Sequence, residues 1–373
     1  MLPMLMRVGA LMLMSFTAFG ARPARARVMQ SAPPSIRAMT ALHSARSVHT
    51  ATALPTGEVL FTGGMATGGA SLASAELLDV SRNTMRDVGA LTVARASHTA
   101  TLLRDGRVLI AGGYNGAYLA SLELYDPTTQ QFRAAGTLME GRSGHTATLL
   151  ADGRILFAGG VGDGWTFLRS AEVYDPATGK SVMVGELSVP RESHTAVLLP
   201  DGSVLVVGGH TGRRTAMTVY ASAERFDPRA HTFSAAGSLA IARHKHDAVA
   251  LRDGRVLVIG GADRTDRTFF ASTELYDPRS NRFAPGPSMA HTRYKIAGSA
   301  VVLPDGNVLV PSGARVAERL DVRRMTFEPV AGEFPSAFSF AATARTRHGD
   351  VIISGGYDGS ITSSAGVWRY GAP

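Results

Sequence analysis

Cysteine is absent from all 373 residues. That excludes disulfides, thiolate nucleophiles, cysteine metal ligands and a lipid-anchored cysteine, so stability must come from packing and hydrogen bonds. Long apolar runs are nearly absent too: the longest, Val8–Phe19, holds about 12 residues where a spanning helix needs roughly 20. Heptad and helix-period patterns are scarce, which argues against coiled coils and helical solenoids. Arginines are spread along the chain and form no Lys/Arg tract, so nucleic acid is not expected as a partner.

The N-terminal run is read as a secretory signal peptide over residues 1–26. It has one early charge at Arg7, the short apolar stretch, and small residues at Ala18, Gly20, Ala24 and Ala26. Cleavage is expected after Gly20 or Ala26; a retained anchor is the other reading. The chain is then exported, periplasmic or extracellular, with no stable membrane span after cleavage. The formal charge of +8 falls to +7 once Arg7 leaves, and to +5 if Arg22 and Arg25 leave with it. This moderate excess suits acidic glycans or cell-wall polymers as well as simple solubility.

Abundant glycine is what the sequence does have, 41 residues in all, and it is periodic. Gly63-Gly64, Gly112-Gly113, Gly159-Gly160, Gly208-Gly209, Gly260-Gly261, a degenerate Ser312-Gly313 and Gly355-Gly356 recur at steps of 43 to 52 residues. Each di-glycine ends a β-prone run, as in HTATLLRDGRVLIAGG from His98 to Gly113. The Asp-Gly inside it is expected to supply the positive φ angles of a two-residue hairpin. A third run ends in Asp-Pro, as in SLELYDP from Ser121, where proline stops the strand; a fourth follows, as in QFRAAGTL from Gln131. Four antiparallel strands make one blade. Seven units predict an all-β, seven-bladed propeller over residues 27–373. The last unit lacks a fourth strand, and SIRAMTAL at 35–42 matches that pattern, so the N-terminal strand is expected to close the ring.

These motifs resemble the kelch repeat, in the variant found in the central propeller of galactose-oxidase-like proteins and in bacterial exported kelch proteins. The resemblance covers roughly residues 33–373. It implies a propeller whose b-to-c loops share a face with the loops entering strand a, placing Arg213, Arg264 and the repeat arginines near one surface. It implies copper–radical chemistry only where a cysteine-modified tyrosine can form, and this chain has no cysteine. One fold hosts many activities.

Comparing the units shows three residue types repeating together. Arg46, Arg95, Arg142, Arg191 and Arg243 precede His49, His98, His145, His194 and His246 by three residues, and Glu76, Glu123, Glu172, Glu224 and Glu274 share one place in strand c, with Glu318 a sixth. Ungapped alignment puts Lys295 and Gly298 at the Arg and His places of unit six, and Phe338, Ala341 and Gly366 at the three places of unit seven. Five equivalent constellations argue for structure: an Arg–Glu ion pair, with His satisfying backbone groups at the start of strand a. The other reading is a His/Arg ring at the channel mouth holding a metal or an anion, but equivalent positions in adjacent blades are usually too far apart for ligation.

No catalytic motif is present: Gly-x-Ser-x-Gly, His-Glu-x-x-His, a phosphate loop and the sialidase Asp-box are all missing. No catalytic residue, metal ligand set or cofactor is assigned. Binding is expected on the loops that differ between blades. From the second glycine to strand c these run from 5 residues in unit six to 15 in unit four. They offer Asp163 and Trp165 in blade three, His210, Arg213, Arg214 and Tyr220 in blade four, and Asp263, Arg264, Asp266, Arg267, Phe269 and Phe270 in blade five. Arginines beside aromatics suit an acidic or sugar-like ligand; the plainer reading is a solvated loop with local Asp–Arg pairs. The expectation is an exported, monomeric kelch-repeat module binding a protein or glycan partner. The alternatives are a secreted propeller enzyme acting on glycans or cell-wall material, and a purely structural propeller.

Overall fold

The computed structural model describes residues 33–371, so the expected signal peptide lies outside the described residues. Seven four-stranded antiparallel sheets follow one another along the chain. Blade 2 illustrates them: strand a Thr99–Leu102, b Val108–Ala111, c Ser121–Asp126 and d Gln131–Thr137, hydrogen-bonded in that order. Each strand a lies against the strand a of the next blade, and that of blade 7 against blade 1, so the sheets form a closed ring, a seven-bladed β-propeller. Among the described residues no helix is long and apolar enough to cross a membrane.

Burial follows strand order. Strand b is covered on both faces, which is why its residues are apolar without alternation, as in Val108, Leu109, Ile110 and Ala111. The core is built between blades: Leu109, Ala111 and Leu124 of blade 2 pack on Ile155, Phe157 and Tyr174 of blade 3. Each such side chain contributes about 1.5–3 kcal/mol when fully buried. Strand d is outermost and largely exposed.

The a–b turn differs from the expected two-residue hairpin. Leu103 N–H donates to Arg107 O at 2.8 Å and Gly106 N–H to Leu103 O at 3.1 Å, enclosing three residues, Arg104 to Gly106. Only Gly106 has positive φ, at 87°. Asp105 instead accepts the Arg107 N–H at 3.0 Å. This is a type I turn closed by a left-handed glycine, and the aspartate is selected for its side-chain acceptor.

Closure is as expected. Ser35–Ala38 pairs antiparallel with Val367–Gly371, Ile36 opposite Tyr370 and Ala38 opposite Trp368. Ile36 is buried among Leu309, Phe334, Trp368 and Tyr370.

Candidate functional site

The repeated arginine and glutamate form a buried pair inside each of blades 1–5. Arg95 Nη2 lies 2.6 Å from Glu123, with Arg142–Glu172 and Arg191–Glu224 at 2.8 Å and Arg243–Glu274 at 3.0 Å; Arg46 pairs with Glu76. Arg95 also donates to the carbonyls of Gly112 (2.8 Å) and Ser121 (3.0 Å), tying strand b to strand c. Glu123 accepts the Thr92 and Val93 N–H groups of the loop entering strand a. All five arginines are fully buried, so they lie beneath the face where the resemblance placed them and not on it.

The histidines bridge blades through side-chain hydroxyls. His98 Nε2 meets the Thr50 and Thr62 hydroxyls of blade 1 at 3.1 and 3.2 Å. His145, His194 and His246 each reach a threonine of the preceding blade at 3.1 Å (Thr99, Thr146, Thr195), and His49 reaches Ser354 of blade 7 at 2.9 Å. The ring sits on the preceding blade's first glycine: a Cβ on Gly112 would lie 2.8 Å from His145 Cε1 and 2.5 Å from Arg142 O. Arg-x-x-His of one blade and Gly-Gly of its neighbour are therefore two halves of one docking contact.

The last two units correct the alignment. In blade 6 the arginine place belongs to Arg293, fully buried and 2.9 Å from Glu318, and the histidine place to Ile296 against Gly260. Two extra residues before strand a displaced the alignment onto Lys295 and Gly298. Its neighbour changes in step: blade 5 carries Asp247 where blades 1–4 have threonine, and that carboxylate accepts the Gly298 and Ala300 N–H groups. In blade 7 the residue opposite strand b is Trp368, not Gly366, because Ile353 pairs with Trp368 as Ile110 pairs with Glu123. Phe338 and Trp368, 5.2 Å apart, replace the ion pair. Arg–Glu and His are thus lost separately.

Burial, then the nearby Arg95, hold the His98 imidazole down to about 3; His194 is likewise near 3, and His49, His145 and His246 lie well below the usual value. An unfolded histidine titrates near 6.5, so below that pH the unfolded chain binds more protons. Stability is fully present above about pH 6.5 and falls as the pH drops toward 3. Asp247, raised by burial to about 6, acts oppositely over pH 4–6 but is outnumbered by the buried histidines. Denaturant midpoints measured from pH 7 to 4 should fall steadily; a flat profile would contradict five neutral buried imidazoles.

The unrepeated chemistry sits in the two residues between arginine and histidine. In blades 1–3 they are Ser47-Val48, Ala96-Ser97 and Ser143-Gly144; in blades 4–6 they become Glu192-Ser193, His244-Lys245 and Tyr294-Lys295. The first of the two bridges to the residue after the di-glycine, Ser47 to Met65 and Glu192 to His210 for example, so the b–c and d–a loops share one face. The second adopts positive φ in all seven blades, from Val48 at 52° to Gly144 at 60°. In six blades its N–H donates to its counterpart one blade back, as from Ser97 to Val48, Lys245 to Ser193, Lys295 to Lys245, Phe340 to Lys295 and Val48 to Phe340. These residues rim the channel mouth.

A polar and aromatic band runs along this rim. Trp165, half exposed, packs with Tyr114 and Tyr118, and the Arg213 guanidinium lies 3.8 Å over its ring. Arg213 is 3.9 Å from Glu192, whose carboxyl burial pushes up. Gly144 makes room for that carboxylate, since a Cβ there would lie 2.9 Å from Glu192 Cγ. Glu192 faces His210 Nε2 at 3.8 Å; His210 meets His244, His244 lies 3.0 Å from Asp266, and Asp266 pairs with Lys245 at 2.6 Å. Lys295 follows, its ammonium over Tyr294 (4.7 Å) and Tyr357 (5.2 Å) and without a carboxylate in ion-pair reach among the described residues. Phe269 stacks on Tyr294 at 4.0 Å.

Of the loop residues expected from sequence, Trp165, His210 and Arg213 join this band. Asp163, Arg214, Arg264 and Arg267 are exposed and outside its hydrogen bonds and ion pairs. Asp263 is a turn former, accepting from the Thr265 hydroxyl and the Thr265 and Thr268 N–H groups, so the expected local Asp–Arg pairs do not form in that loop. Tyr220 and Phe270 roof the buried Arg191 and Arg243. Glu192, His244, Lys245, Tyr294 and Lys295 escaped notice as site residues because they lie inside the repeated motif. The signal was there: those two positions turn charged or aromatic in three consecutive blades.

The Kelch motif model matches residues 95–139 and 248–290. With the seven-bladed ring, these matches define the class: the chain is a seven-bladed β-propeller that carries kelch motifs in blades 2 and 5. Among solved structures it is similar to one described as a novel fungal alcohol oxidase with catalytic diversity among the AA5 family, in complex with copper. That likeness has a TM-score of 0.73 at 16% identity over 91% of this chain and 76% of that one, and it shows the fold alone. No curated protein sequence matches. A cysteine-modified tyrosine cannot form in this chain, and the tyrosines at the rim, Tyr294 and Tyr357, flank a lysine ammonium.

Proposed function

We propose that the protein is an exported binding module that takes an anionic glycan or protein partner on the channel-mouth face of blades 3–7. The observation that carries this is the replacement of small residues by Glu192, His244-Lys245 and Tyr294-Lys295 at two rim positions of blades 4–6, beside the exposed Trp165 and Arg213. Packing does not require these residues, since blades 1–3 form the same contacts with serine, alanine, valine and glycine. Cations beside aromatic faces suit carboxylate or sulfate groups carried on sugar rings, or acidic side chains.

The test is a glycan and peptidoglycan array, followed by titration of the best ligand against variants. Trp165→Ala with Arg213→Ala, and Lys245→Ala with Lys295→Ala, are each expected to weaken binding about 10–100-fold, 1.4–2.8 kcal/mol, without moving the melting temperature. Undiminished binding by both variants would place the ligand elsewhere. A second reading, a secreted propeller enzyme acting on glycans or cell-wall material, draws on the adjacent His210 and His244 with Glu192 and Asp266 at their flanks. Turnover of a bound glycan, lost in Glu192→Gln, would establish it over the module.

A further inference from the structure

The His210–His244 contact carries an inference independent of the ligand reading. The two Nδ1 atoms are 3.2 Å apart, the rings nearly perpendicular with centroids 4.7 Å apart, and both side chains are buried. On the far side of His244, Nε2 lies 3.1 Å from the Asp263 carbonyl oxygen and 3.0 Å from an Asp266 carboxylate oxygen. The carbonyl can only accept, and Asp266 is paired with the Lys245 ammonium at 2.6 Å. His244 therefore carries its proton on Nε2 and presents a bare lone pair at Nδ1. His210 turns Nε2 toward the Glu192 carboxylate at 3.8 Å, beyond hydrogen-bond reach, so its proton is free to sit on either ring nitrogen. With that proton on Nδ1 the two neutral rings share an N–H···N hydrogen bond; with it on Nε2 two lone pairs face each other across 3.2 Å.

The second arrangement is one a metal ion fits: two nitrogens, each about 2.0–2.1 Å from a tetrahedral ion, stand roughly 3.3 Å apart, against 3.2 Å here. Far nitrogens facing a carbonyl and carboxylates are what orient ligating histidines and raise their basicity. We propose that His210 and His244 bind one borderline divalent transition-metal ion, Zn²⁺, Cu²⁺ or Ni²⁺, through their Nδ1 atoms at the seam of blades 4 and 5, with its remaining positions open to water or an external ligand. The other imidazole–carboxylate group, His43 with Glu76 and Asp87, is a weaker candidate. Its glutamate already serves Arg46 and two backbone N–H groups.

The chelator-treated full chain is titrated with Zn²⁺ by calorimetry and with Cu²⁺ by electron paramagnetic resonance. One saturable equivalent is expected, with a melting temperature that rises on loading. His210→Ala and His244→Asn should each weaken Zn²⁺ binding at least about 100-fold, and Asp266→Asn about 10–100-fold. His348→Ala, on the blade 7 hairpin, should leave binding unchanged. The Cu²⁺ spectrum of the wild-type chain should show splitting from two imidazole nitrogens, a readout that stands even if a histidine variant fails to fold. Wild-type affinity in either histidine variant, no saturable equivalent below about 1 mM, or a spectrum with fewer than two nitrogens would overturn the proposal. None of these outcomes bears on whether the rim binds an anionic ligand.

Discussion

Replacing Glu123 by leucine is expected to destabilise the propeller by about 3–5 kcal/mol, the cost of removing one member of a buried ion pair. The change strands the Arg95 guanidinium with no carboxylate and leaves the Thr92 and Val93 N–H groups without their acceptor. The double variant Arg95→Met/Glu123→Leu should recover part of the loss, because a buried pair and an apolar pair of similar volume are often nearly equivalent in energy. Blade 7 supplies the precedent within the same chain, with Phe338 and Trp368 at the two positions. Recovery should be incomplete, since Arg95 also serves the Gly112 and Ser121 carbonyls. The readout is the urea midpoint at constant slope. A single variant within 1 kcal/mol of wild type would mean that the pair is not a determinant of the blade; a double variant worse than the single would mean that the carbonyl contacts dominate.

Fold and site differ in how much of each could be read from the sequence, and the reason is physical. Blade number and ring closure follow from periodic features, di-glycine, Asp-Gly and Asp-Pro, each of which acts through local backbone preference. The Arg–Glu pair was legible because both residues repeat in phase. Its fate in blades 6 and 7 was not, because two inserted residues before strand a broke the alignment that located Lys295 and Gly298. Register could only come from pairing, and Ile353 opposite Trp368 settles it. The reason for the di-glycine was hidden as well, since its constraint lies in the next blade, where His145 and the Arg142 carbonyl occupy the space a Cβ on Gly112 would need.

The rim escaped a search that looked for variation in loops. Glu192, His244, Lys245, Tyr294 and Lys295 vary inside the most regular segment of the repeat, where left-handed backbone turns each second residue toward the mouth. A repeat holds its packing positions and leaves free the ones between them. Two residues flanked by a fixed arginine and histidine are as open to functional change as a loop, with the added property that a run of backbone hydrogen bonds between blades fixes their position. Arg264 and Arg267 have the opposite character: they are exposed on a loop whose aspartate, Asp263, is consumed in shaping it.

A chain beginning at Met39, and so lacking Ser35–Ala38, is expected to self-associate more and to lose most of its cooperative unfolding relative to one beginning at Pro33. The deleted strand does more than add a fourth strand to blade 7. Ile36 N–H donates to the Ala331 carbonyl of blade 6 at 2.8 Å, and its side chain fills the core shared by the two blades, so its removal opens the ring on two sides. The strand then uncovered, Val367–Gly371, presents Val367, Trp368 and Tyr370 along an unpaired edge, a template for pairing with another copy. Ile36→Asp separates the two effects. It keeps the backbone ladder while putting a carboxylate among Leu309, Phe334 and Trp368, so it should lower the unfolding midpoint without promoting association. Sedimentation velocity with urea unfolding checks both variants. A truncated chain that sediments and unfolds like the longer one would show that the ring is held by its seven inner strands, with closure by the N-terminal strand adding little.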